Sequence, residues 1–411
     1  MNAGREHEHL LIQLARLLAE GKGETEEHEA LCESMLASWN ALDASTREFF
    51  RGLSGDLDML DDTERLEPSQ RSPAELELAL GLAWNEEKYS EVLSLLRKVQ
   101  APRPPEQIAY VRGRCCAALG FHEAALVFHD HAAQLKPSNG NYAYLAFVEA
   151  LELGMIDWVI TKAKAIGEAQ DSPPSALFAA AHALVRTDSE EEGRSDALLE
   201  SIIGILHRAL AAEDRLPRAN RLPAVLVGGY VELGLCHERL NQTDLARDAY
   251  THALQIDPRS DAALIARGLL LASSDKAQAA IDFTEAVALQ TRLVWPYLYL
   301  ANRAVEAGEY IRAVDLCQDG LARATDPSQR ANLLEWLALA KTALGEPRKV
   351  VEDLFERALD YAPFNPRIRR NKDIALSAEP PGSGGPSWQV ANDTGDDAAR
   401  LQFRRQTLAA A

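Results

Sequence analysis

The sequence predicts an all-α fold, an α-solenoid of antiparallel helix pairs stacked in chain order. Three observations predict it. The stretch from Tyr230 to Pro258 sets Tyr230, Leu233 and Gly234 ahead of Ala246, Tyr250 and Ala253, and closes on Pro258. The small residues let two antiparallel helices approach, the large ones fill the space between them, and the proline forbids the second helix from continuing. The pattern then recurs: Gly268 follows Gly234, and Phe147 follows Gly113, at the same interval of 34 residues. The composition agrees, since the chain is 47% hydrophobic with only 6% aromatic. Ala and Leu supply the balance, and both lose little rotamer freedom in a helix. One such pair cannot bury its apolar face alone, so neighbours are required.

Residues 1–67 read as an N-terminal three-helix segment outside the repeat phase. Leu10, Leu11, Leu14, Leu17 and Leu18 share one helical face. A second helix runs from about Glu26 to Leu42, and Ser45 with Glu48 marks the start of a third. The phase begins at Ser72-Pro73-Ala74-Glu75, a capping box with proline at the first helical position. Pairs follow at 73–102, 106–137 and 140–172. The fourth is stretched: a helix over 175–186, the acidic loop TDSEEEGRS, then an amphipathic helix from Asp196 to about Ala212. The Tyr230–Pro258 pair restores the phase, and three more carry it to Pro363. The repeat region of about eight pairs runs over 73–379, ending in a capping helix, 366–379. Residues 380–395, PPGSGGPSWQVANDTG, form a flexible linker by composition. Residues 396–411 make a C-terminal amphipathic helix carrying Leu401, Phe403, Leu408, Arg400, Arg404 and Arg405.

These residues resemble the tetratricopeptide repeat family across 73–365. The resemblance implies a right-handed superhelix whose first helices line a concave groove for peptides or helices, and it implies no catalysis. Departures exist, with His129 and Cys317 standing where an aromatic is usual. In the family the second, fifth and ninth positions of each first helix face the groove. Carried over, these give Tyr110 and Arg114 in the second pair, and Asn141, Tyr144 and Val148 in the third. The fifth pair gives Gly228, Val231 and Leu235, and the seventh gives Trp295, Leu298 and Asn302. Members that clamp the C-terminal carboxylate of heat-shock chaperones need Lys, Asn and Arg in three successive repeats. Here only Arg114 and Asn302 have that chemistry, and they lie far apart in sequence. The mixed aromatic and aliphatic positions suit an apolar helix or an extended peptide. Tyr110, Tyr144 and Trp295 either line that groove or pack between repeats.

Other chemistry is weakly signalled. His28, His122 and His237 each precede a glutamate, but none has a histidine four residues on to complete a zinc-binding helix face. His129 and His131 point about 100° apart from the residue between them and do not converge on a metal. Vicinal Cys115 and Cys116 read as small buried residues of a helix interface. No cofactor motif is present. The net charge of −19 disfavours nucleic acid and anionic membranes. About half of that excess falls in residues 1–67, with 16 acidic and 6 basic side chains. Five scattered cysteines suit a reducing compartment, and no apolar run reaches the ~20 residues of a membrane span.

The sequence therefore reads as a cytoplasmic, non-catalytic interaction scaffold or adaptor for a protein or peptide partner. It needs no cofactor, metal, nucleic acid, membrane or small-molecule substrate, and the residues leave the oligomeric state open. The alternative is a regulatory or sensor subunit autoinhibited by its own C-terminal helix.

Overall fold

Fixed spacing of small residues opposite large ones dictates where helices can pair, and twenty α-helices and no strand occur among the described residues. The computed structural model describes residues 3–23, 25–58, 60, 71–99, 103–188 and 196–377. The 380–395 linker and the 396–411 helix expected from the sequence lie outside them, as do the 61–70 joint and most of the acidic loop.

The chain divides into two compact units, Met1–Ala219 and Asn220–Ala411. The first holds α1 (Ala3–Ala19), α2 (Glu26–Asn40) and α3 (Ala44–Asp58), followed by four pairs. These are α4 (Pro73–Asn85) with α5 (Tyr89–Leu96), α6 (Pro105–Ala118) with α7 (His122–Leu135), α8 (Gly140–Glu152) with α9 (Ile156–Glu168), and α10 (Pro174–Asp188) with α11 (Asp196–Asp214). The second unit holds α12 (Pro223–Arg239) with α13 (Thr243–Ile256) and α14 (Asp261–Leu271) with α15 (Lys276–Ala288). It continues with α16 (Trp295–Glu306) and α17 (Tyr310–Arg323), α18 (Pro327–Ala343) and α19 (Arg348–Tyr361), and a last helix, α20 (Pro366–Ser377).

The pairing rule read from the sequence is visible in atoms. A Cβ built on Gly234 would stand 2.2 Å from the Tyr250 ring, and one on Gly113 would stand 2.2 Å from the His129 ring. Gly268 faces Phe283 in the same way. Only glycine lets α12 meet α13 with a tyrosine between them. The turns that follow need left-handed backbone, supplied by Gly120, Gly154, Gly308 and Gly345 and, less readily, by Asn241 at φ 57°. Ser72 and Glu75 make the expected capping box at α4.

The third pair breaks the rule for a stated reason. Phe147 occupies the place of Gly113 and Gly234, and it is buried. Its ring meets Trp158 edge-on at 6.1 Å, and α9 packs on α10 more than on α8. The bulk at 147 wedges the pair apart and leaves a cavity of about 300 Å³ lined by Phe147, Trp158, Ile166, Ala143 and Ala176.

The three N-terminal helices share one core with the first two pairs. Ile12, Phe50 and Leu53 cluster with Leu76, Val92, Leu96, Cys116 and Phe128. Phe49 stacks on Phe121 at 4.5 Å. Buried polar contacts fix the register. Asp56 is held between Arg97 and Arg112, each with a guanidinium nitrogen at 2.8 Å. Glu8 of α1 accepts the Ala124 amide at the start of α7. In the second unit one continuous core runs from Val227 to Ala375. Its last helix is tied by Glu335, which accepts from Asn371 at 2.8 Å and pairs with Arg367 at 2.7 Å.

Candidate functional site: the inner face of the second and third pairs

Helix α6 starts on Pro105, whose missing N–H falls among the amides that have no intrahelical partner. Helix α8 starts behind Asn139, whose side chain accepts the Asn141 amide at 3.2 Å. Gly140 lies where a Cβ would stand 2.2 Å from the Ser175 backbone, and its amide donates to Ser175 Oγ at 3.0 Å. The last of these contacts sets α8 beside α10.

The positions that the resemblance assigns to a groove are at least partly accessible in α6 and α8. Arg114 and Asn141 are exposed, and Tyr110, Tyr144 and Val148 are half-buried. The Tyr110 ring tilts against Tyr142 at 5.5 Å, and its hydroxyl accepts from Arg114 at 3.3 Å. The Tyr144 ring lies 5.7 Å from His182. Each tyrosine has a ring contact with the next pair and stays partly accessible.

Beneath this face sits His129, enclosed between α6 and α7. Burial, aided by the nearby Arg114 charge, pulls its pKa down to about 4, so the imidazole is neutral. Burial pushes the Cys115 thiol up to about 12, and Cys116 is raised as well, so neither offers a thiolate at neutral pH. No disulfide joins any of the five cysteines. Among the described residues no group of three metal-ligating side chains converges.

The seventh pair departs from expectation. Leu298 is 3% exposed and Asn302 is 4% exposed, and Trp295 is half-buried against the second unit's core. Leu298 and Asn302 do not line an open surface. The sequence of α16, WPYLYLANRAVE, is apolar on nearly every face, and such a helix is buried all round. Val231 and Leu235 of the fifth pair are likewise buried. Residue-by-residue transfer from the repeat register finds the right positions but cannot find which are covered, because coverage depends on neighbours outside the repeat.

Near the end of the chain Arg367, Arg369, Arg370 and Lys372 form a basic cluster. Arg367 turns inward to Glu335 and Asn332, Arg369 donates to the Pro363 carbonyl, and Lys372 pairs with Glu356. Three of its four cations serve the packing of α20.

No protein-family model matches the chain, and no curated protein is similar to it. Solved structures are similar to it at low identity. One described as the functional characterization of Pseudomonas aeruginosa pilF is 14% identical, with 64% of this chain and 95% of that one covered and a TM-score of 0.40. The C-terminal part of a TPR repeat-containing protein from Cytophaga hutchinsonii is 12% identical, with 72% and 98% covered and a TM-score of 0.38. The APC/C hetero-tetramer Cut9-Hcn1 is 16% identical, with 83% and 66% covered and a TM-score of 0.34. What assigns the architecture is the chain's own geometry, with Gly113, Gly234 and Gly268 of first helices each receiving a large side chain of the second. Among the described residues the protein is an all-α repeat of stacked helix pairs.

Proposed function

We propose that the chain is a non-catalytic scaffold that binds a segment of a protein partner on the inner face of its second and third pairs. The observation that supports this is the open row of Tyr110, Arg114, Asn141 and Tyr144 at the register positions that face inward. Tyrosine and arginine dominate binding energy where they are partly desolvated, because each offers a large face and a polar tip. Arg114, projecting beside the Tyr110 hydroxyl, suits a carboxylate of the partner. Asn141 can both donate to and accept from a peptide backbone. The fitting ligand is an extended or helical segment with an apolar anchor next to an acidic group. Co-purification of the intact chain, with mass-spectrometric identification of what accompanies it, tests the reading. A specific partner retained by wild type and lost on Tyr110→Ala with Tyr144→Ala supports it. Retention of every partner by that variant contradicts it.

A second reading concerns the C-terminal segment that the sequence predicts as an amphipathic helix. In it, residues 396–411 return to cover the inner face of the second unit until a partner displaces them, as in an autoinhibited regulatory subunit. The 380–395 segment has the reach, on the order of 20–24 Å for a flexible chain of that length. It leaves from α20, which packs on α18. Removing residues 380–411 then raises partner affinity, and unchanged affinity counts against this reading.

A further inference from the structure

The internal joints between pairs repeat one arrangement. Two places after the small position of α6, α12 and α14 the side chain is buried: Cys115 is 0% exposed, Cys236 2% and Leu270 3%. In α4 the same register position is Leu82, which is 52% exposed, and Leu78 one turn earlier is 66% exposed. The three N-terminal helices do not supply the missing neighbour, since α3 packs on α5 and α1 on α7. Helix α4 thus leaves exposed a register position that is buried in α6, α12 and α14, and among the described residues no helix is packed over Leu78 and Leu82. Gly81 lies between the two leucines with open space over its Cα, so another backbone can come close.

We infer that this leading face of α4, centred on Leu78 and Leu82, docks a basic amphipathic helix of a partner protein. The apolar stripe sets the helical form, because the internal joints bury these positions against helices. The flanking charge sets the sign. Glu75, Glu86, Glu87 and Glu91 are exposed around the leucines and outnumber Arg71 and Lys88, the lysine being paired with Glu86 at 2.6 Å. A second copy of the chain fits poorly. Antiparallel pairing about the midpoint of Leu78 and Leu82 sets Glu75 of one copy beside Glu86 of the other, and like charges so placed repel. A helix with leucines at i, i+3, i+4 and i+7 flanked by lysine or arginine meets both requirements.

The experiment titrates the full chain with a fluorescent synthetic Leu/Lys peptide of that spacing. A scrambled peptide of the same composition and a Leu/Glu peptide of the same spacing serve as controls. The variant is Leu78→Gln with Leu82→Gln, which removes the stripe without changing charge. Both side chains are exposed, so its thermal melt stays as in wild type. The expected result is roughly tenfold or greater weakening, about 1.4 kcal/mol, both on scrambling and in the variant, with no binding of the Leu/Glu peptide. Equal binding by wild type and variant, or by ordered and scrambled peptide, overturns the inference in favour of charge alone. Tight binding of the Leu/Glu peptide overturns the assigned sign. Sedimentation of wild type as a dimer that the double substitution converts to monomer overturns it in favour of a second copy.

Discussion

Glu8 in α1 accepts the backbone N–H of Ala124 at 2.9 Å across 116 residues of sequence, so a buried carboxyl of the first helix caps the start of α7. Beside it, His9 pairs with Glu123 at 2.8 Å, and His7 bonds Ser38 at 2.7 Å. Desolvation outweighs the stabilising amides and raises Glu8 from 4.5 to about 7. A raised folded-state pKa means that the stability is fully present below the unfolded value. It is then lost as pH climbs through the folded one. The first unit should therefore weaken between about pH 4.5 and 7, by up to ~3 kcal/mol from this group. His7, lowered by burial, acts in the opposite sense, its contribution being lost as pH falls. Glu8→Gln should flatten the decline above pH 4.5, leaving the variant at least as stable as wild type at pH 8. Urea unfolding at pH 5 and pH 8 measures this, and an unchanged slope would show that Glu8 does not carry it.

Asp56 tests how the N-terminal helices are locked to the repeats. It is buried between two guanidinium groups, and removing one member of such a cluster leaves uncompensated charge. Asp56→Ala should cost about 3–5 kcal/mol. The loss should fall on the first unit, read as earlier urea unfolding of α1–α7 by hydrogen exchange. A change under about 1 kcal/mol would place the lock elsewhere.

The close approach at Gly234 predicts intolerance of a single methyl. Gly234→Ala pushes a Cβ into the Tyr250 ring and should destabilise the second unit by about 1–3 kcal/mol, despite the gain in helix propensity. Gly81→Ala, with open space at its Cβ, should be neutral or mildly stabilising. Thermal melts of the two variants decide whether space or propensity governs.

Leu298 and Tyr144 share a register position in different pairs but should answer differently to truncation. Leu298→Ala removes a buried side chain and should cost about 2–5 kcal/mol. Tyr144→Ala removes a half-buried ring and should leave the melt within about 1 kcal/mol of wild type while weakening the partner. Comparable destabilisation by both would assign Tyr144 to packing alone.

The periodic part of the fold was legible because it rests on local chemistry. Gly234 against Tyr250 and the capping box at Ser72 are written in short spacings, and each puts a helix boundary where the structure has one. The docking of α1 was not legible, since Glu8 and Ala124 lie 116 residues apart and nothing near either marks the other. For the candidate site, register named Tyr110, Arg114, Asn141 and Tyr144, which are exposed or half-buried, whereas Leu298 and Asn302 are buried because α16 is surrounded. Phe147 was read only as a recurrence 34 residues after Gly113, and the consequence of its bulk, the opened third pair with its cavity, needed three-dimensional packing to be drawn.

The central claim is that partner binding resides on the inner face of the second and third pairs. The direct measurement selects a peptide from a random library on the full chain and determines its Kd by calorimetry for wild type and for Tyr110→Ala with Tyr144→Ala. The account predicts at least about tenfold weaker binding by the variant, roughly 1.4 kcal/mol, with an unchanged melting temperature. Equal affinity in a folded variant would contradict it.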